Sequence, residues 1–128
     1  MEIYNFRKFT RTGSRRGNYS ISLSPSFSFG FLSGFYRKEG IKNYKKVILF
    51  YDKDSKAVAF QFTNDLESEG AFTVIHGKKQ STGSVTARSF VFENDLNKKE
   101  YFGRRTPKKI TDNEFGELFI IHLLDNSK

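Results

Sequence analysis

One stretch restricts the fold more than any other. Val47-Ile48-Leu49-Phe50-Tyr51 is a run of strong strand formers, and Asp52-Lys53-Asp54-Ser55-Lys56 is a polar turn of hairpin length. Val58, Phe60 and Phe62 then alternate with Ala57, Ala59 and Gln61. An apolar run, a short polar break and a period of two together predict a β-hairpin, because successive side chains of a strand point to opposite faces. Residues 71–75 follow an acidic loop, residues 64–70, and are expected to extend the same sheet. A three-stranded nucleus commits a chain of 128 residues to one sheet-based domain, residues 1–128. A chain this long buries enough surface to fold without metals or disulfides.

The remaining segments lean the same way. The chain carries 15 Phe and 6 Tyr but no Trp, and aromatic side chains suit a pleated, half-buried surface. Residues 3–9 read as a strand, and residues 12–18 interrupt it with turn-forming residues. Tyr19, Ile21 and Leu23 then alternate with Ser20, Ser22 and Ser24 until Pro25, which has no N–H to give a ladder. These two strands are expected to pair as a hairpin with Arg11, Arg15 and Arg16 in its loop. Phe27, Phe29 and Phe31 alternate like a strand, whereas Phe31, Leu32, Phe35 and Tyr36 recur at helical spacing. A short helix is predicted over residues 31–38, stopping by Gly40, with Arg37 and Lys38 in the last turn where cations favour the dipole. Residues 85–96 fit either a helix beginning near Thr86 or a strand through residues 89–92. Residues 118–124 are apolar on both faces, as in a strand central to a sheet. The predicted fold is α+β and β-dominated: a curved antiparallel sheet or partly closed barrel with one or two short helices.

Several classes of chemistry lack their residues. Without Cys there are no disulfides and no Cys-ligated zinc or iron–sulfur site, which also suits a reducing compartment. The longest apolar runs, residues 47–51 and 118–124, are too short to cross a bilayer, and residues 1–10 lack the continuous apolar stretch of a signal peptide. A soluble cytoplasmic protein with no membrane partner and no cofactor is expected. No H-E-x-x-H, G-x-S-x-G, P-loop or G-x-G-x-x-G pattern occurs. His76, at a strand end, reads as structural or solvated, and His122, inside the most apolar strand, as a core imidazole. Asp65, Glu67 and Glu69 are the one acidic cluster that can be imagined holding Mg²⁺ for phosphoryl chemistry. Alternating acids in a loop are usually a solvated edge, here balancing a basic surface, and a metal-dependent nuclease rests on these three alone.

Charge points elsewhere. The net charge is +8, and residues 1–46 carry ten Lys or Arg against two acids. Three basic clusters stand out: Arg7, Lys8, Arg11, Arg15 and Arg16; Arg37, Lys38, Lys42, Lys45 and Lys46; and Arg104, Arg105, Lys108 and Lys109. Clustered cations draw phosphates by counterion release, and Tyr4, Phe6 and Phe9, interleaved with the first cluster, either stack on unpaired bases or face the core. The expected function is non-enzymatic nucleic-acid binding, to DNA or RNA, with the three clusters supplying the contacts. The rival from a different class is a module that docks an acidic protein on the same cations.

Within the second cluster the sequence resembles a known family. Phe31-Leu32-Ser33-Gly34-Phe35-Tyr36-Arg37-Lys38-Glu39-Gly40-Ile41-Lys42, then Lys46-Val47 through Tyr51, a polar turn, and residues 58–62 look like the AbrB-type DNA-binding half-barrel. The matching positions are Gly40-Ile41-Lys42 and Lys46-Val47, and the resemblance covers about residues 21–63. It implies a β-barrel, often a homodimer, that places basic side chains on DNA. The family's Pro and charged residue at the helix start are replaced here by Phe29-Gly30, and its Gly-Asp before the strand by Tyr44-Lys45.

Overall fold

Alternating apolar side chains build two five-stranded antiparallel sheets whose buried faces pack on each other. The computed structural model describes residues 19–124. In chain order these form β1 (Ile21–Leu23), β2 (Ser28–Phe31), α1 (Ser33–Lys38), a 3-10 turn (Ile41–Asn43), β3 (Lys46–Asp52), β4 (Ala57–Thr63), β5 (Phe72–Thr73), β6 (Ile75–His76) and β7 (Gly83–Thr86). There follow α2 (Arg88–Glu93), a second 3-10 turn (Lys99–Tyr101), β8 (Gly103–Arg105), β9 (Lys108–Asp112) and β10 (Gly116–His122). One sheet has the order β6-β7-β2-β1-β8 and the other β5-β3-β4-β10-β9. The fold is thus α+β and β-dominated with two short helices, and the sheets do not close into a barrel.

The chain passes between the sheets at both margins. After pairing with β3 through Phe72 and Thr73, it turns at Val74 and pairs with β7 through Ile75 and His76. The expected third strand, residues 71–75, is therefore split between two sheets. Val74 is 4% exposed and its N–H is anchored on the Lys45 carbonyl at 2.9 Å, so the crossing point is fixed. On the other margin Thr106-Pro107 carries the chain from β8 to β9.

Inside the sandwich the phenylalanines account for the composition. Phe29 and Phe31 of one sheet meet Phe60 of the other edge-on, with ring centroids 5.1 and 5.9 Å apart. Phe35 from α1 stands edge-on to Phe119 at 5.0 Å. Burying each such ring contributes about 1.5–3 kcal/mol, and edge-to-face pairing adds about 0.5–1.5 kcal/mol.

The hairpin predicted from residues 47–62 is present, with Leu49 opposite Phe60 and Tyr51 opposite Val58. The ambiguous run around Phe31 resolves into both alternatives in succession, a strand to Phe31 and then a helix from Ser33. Gly40, expected to end that helix, has φ +64°, a left-handed conformation that glycine adopts without a Cβ clash. Residues 88–93 are helical rather than extended. β10 is flanked by β4 and β9, as its two apolar faces predict. His122 is half-buried beside Ala57 on the face turned away from Ile121, so it is not the core imidazole expected. The strand predicted over residues 3–9 lies outside the described residues. Both edges of β1 are occupied, by β2 and by β8, so its partner in the expected hairpin is replaced.

The outer face of the second sheet is unusually apolar. Ile48, Phe50, Ala59, Leu118, Ile120 and Ile110 share it by register, and Phe115 packs on Phe50 with centroids 4.7 Å apart. Among the described residues no helix is long and apolar enough to cross a membrane.

Candidate nucleic-acid interface

The second basic cluster lies on the segment that links β2 of one sheet to β3 of the other. Arg37 and Lys38 end α1, Lys42 lies on the 3-10 turn, and Lys45 and Lys46 lead into β3. Arg37, Lys38, Lys42 and Lys45 are exposed, and Lys46 is half-buried with its Nζ donating to Thr73 Oγ1 at 2.9 Å. Among the described residues none of these five forms an ion pair.

Three tethers hold this segment. Phe35 and Tyr36 bury one side of α1, and the Tyr36 hydroxyl reaches His76 Nδ1 at 2.7 Å. His76 Nε2 lies 2.8 Å from the Tyr44 carbonyl, which can only accept, so Nε2 carries the hydrogen; in the neutral ring Nδ1 then accepts from Tyr36. Gly83 leaves room for Tyr36, since a Cβ there would stand 3.0 Å from the ring. Asn64 makes the second tether, accepting from the Lys45 N–H at 2.9 Å and donating to the Asn43 carbonyl at 2.8 Å. Glu39 makes the third. Its carboxylate accepts from the Tyr19 hydroxyl at 2.8 Å and from Lys109 Nζ at 3.4 Å. Desolvation, helped by that bond and by the charge of Glu39, holds the Tyr19 phenol well above its ordinary range.

The third cluster is dispersed. The run from Arg104 to Lys109, expected as one basic loop, is two strands of different sheets. Its four cations accordingly point in different directions. Arg104 is exposed on the outer face of the first sheet, opposite Ser22, and Lys108 is exposed on the outer face of the second, opposite Ile120. Lys109 is bound between Glu39 and Glu117, at 3.4 and 3.3 Å. The hydrogen bond to Glu117, then the charge of Glu39, raises its pKa.

Arg105 has to be withdrawn from the predicted phosphate contacts. It is 2% exposed, because strand alternation turns it inward between the sheets. Its guanidinium donates to the carbonyls of Leu123 (2.6 and 3.1 Å), Tyr101 (2.8 Å), Glu100 (3.2 Å) and Gly103 (3.5 Å). A planar fork of five donors satisfies several carbonyls at once, which an ammonium cannot do. Arg7, Lys8, Arg11, Arg15 and Arg16 lie outside the described residues.

The acidic cluster does not form a metal centre. Asp65 folds its own turn, its carboxylate accepting from the Glu67 N–H at 3.0 Å and from Ser68 Oγ at 3.2 Å. Among the described residues no three His, Asp or Glu side chains converge into a metal-binding group, so the nuclease alternative loses the cluster it needed. This loop leaves β4 at Thr63, opposite Lys46, and so borders the basic segment on one side. Sequence reasoning missed the Asn64, Glu39 and His76 tethers, because their partners lie 19 to 70 residues away in the chain. No protein-family model, curated protein or solved structure matches the chain.

Proposed function

We propose that this is a cytoplasmic, non-enzymatic nucleic-acid-binding protein that grips the phosphate backbone with Arg37, Lys38, Lys42, Lys45 and Lys46. One observation carries the reading: these five cations fall within ten residues of a tethered segment and form no ion pairs with described residues. Ammonium and guanidinium groups without carboxylate partners release counterions when phosphate replaces them. The acidic loop beside Lys46 confines a polyanion to the α1 side of the patch. Arg7, Lys8, Arg11, Arg15 and Arg16 add cations to the same chain, and Arg104 serves a strand that wraps further round. The partial AbrB-type resemblance, which spans this segment, points to DNA as the first ligand to try.

The test is anisotropy of labelled duplex and single-stranded oligonucleotides across a salt series. Five duplex phosphates predict a log–log slope of about −4.5, or roughly a 500-fold loss for a fourfold rise in salt. Lys42→Glu with Lys45→Glu should flatten that slope by about two and weaken all sequences alike. No binding at low salt, or affinity indifferent to salt, overturns the proposal. Capture of an acidic protein that survives nuclease treatment and is lost in the same double variant moves the patch to the rival reading.

A further inference from the structure

Strand β9 is a margin of the second sheet, with β10 on one side and, among the described residues, no strand on the other. Its sequence is Lys108-Lys109-Ile110-Thr111-Asp112, and its first four residues are exposed. An open edge offers unpaired N–H and C=O groups to any extended chain, and lysines on it discourage most comers. One partner meets no such penalty. Turned antiparallel about Ile110, the strand is complementary to itself: Lys108 falls opposite Asp112, Lys109 opposite Thr111, and Ile110 opposite Ile110.

We propose that the protein self-associates as a two-fold dimer by pairing β9 with β9 of a second copy, centred on Ile110. Two-fold symmetry forms the Lys108–Asp112 contact twice, and opposite charges directly across an antiparallel pair are stabilising. Asp112 is set for it. Its Oδ2 accepts from the N–H groups of Glu114 and Phe115, at 2.9 and 3.0 Å, which fixes the carboxylate and leaves Oδ1 for the lysine. Residues 108, 110 and 112 share one face of the strand, and Ile110 stands in register with Leu118. Ile110 is 38% exposed in the single chain, and across the seam the two copies cover each other there. The apolar outer faces then run on as one surface. A five-residue ladder is a small contact, so the dimer belongs to the weak, reversible class.

The test combines sedimentation equilibrium of the full chain with thiol trapping, which is clean because the protein has no Cys of its own. Concentration-dependent dimer is expected, weakened about tenfold or more by Lys108→Glu, which turns both contacts repulsive. Asp112→Lys should fail likewise, and an equimolar mixture of the two variants should dimerise again, since each then supplies the charge the other lacks. Ile110→Cys should form a disulfide dimer on mild oxidation, and Ile48→Cys, further across the same face, should not. A monomer at all concentrations, a Lys108→Glu variant that dimerises like the parent, or Ile48→Cys trapping as readily as Ile110→Cys would each overturn the proposal.

Discussion

Arg105 is the residue on which the margin between β8 and β9 is pinned. It answers carbonyls of Glu100, Tyr101 and Gly103 before it and of Leu123 at the end of the described chain. Truncation strands several of those acceptors in a dry environment, at roughly 1–3 kcal/mol for each left unsatisfied. Arg105→Leu is therefore expected to lower the unfolding free energy by about 3 kcal/mol or more, read from the urea midpoint at unchanged m. Arg105→Lys should recover little of it, because one ammonium cannot span the same carbonyls. A variant as stable as the parent would contradict this account. None of it was legible in Arg104-Arg105-Thr106-Pro107-Lys108-Lys109, which reads as a wet basic run. The only hint was the alternation of Tyr101, Gly103, Arg105 and Pro107, and three short strand residues are too few to make a period visible.

At the scale of elements, α1 is a six-residue helix with no side-chain N-cap, too short to persist alone, and it is kept by its tethers. Two of these end in phenols, Tyr19 on Glu39 and Tyr36 on His76. Desolvation raises both above the ordinary tyrosine value of 10.0. The native state thus favours their protonated forms more than the unfolded chain does. That preference stabilises the fold fully below pH 10 and is lost as pH climbs beyond it. The unfolding midpoint should hold below that point and fall above it, with Tyr19 and Tyr36 ionising alongside loss of structure. Tyr19 or Tyr36 ionising at the ordinary pH in a still-folded protein would refute this. The elements themselves were largely readable. The hairpin of β3 and β4 has a local period and a local turn, and α1 has helical spacing closed by a glycine. The split of residues 71–75 was not, because what divides them is the anchoring of Val74 on Lys45, a long-range bond with no counterpart in local pattern.

For the molecule as a whole, one continuous core joins both sheets with α1 and α2. Neither sheet can keep its inner face buried without the other, so thermal unfolding should be a single transition in which calorimetric and van't Hoff enthalpies agree. Amide exchange should give the central strands β2 and β4 comparable protection. Two transitions, or protection confined to one sheet, would show that they melt apart. The sheet-rich class and the basic character were legible from composition; which cations share a surface was not, since register alone decides that Lys108 and Lys109 face opposite ways. The crossings at Val74 and at Thr106-Pro107 have a further consequence. The chain itself ties the two sheets together at both margins, through Val74 on one side and Thr106-Pro107 on the other. Parting the sheets therefore requires β5 or β6 at one margin, and β8 or β9 at the other, to leave its neighbour first.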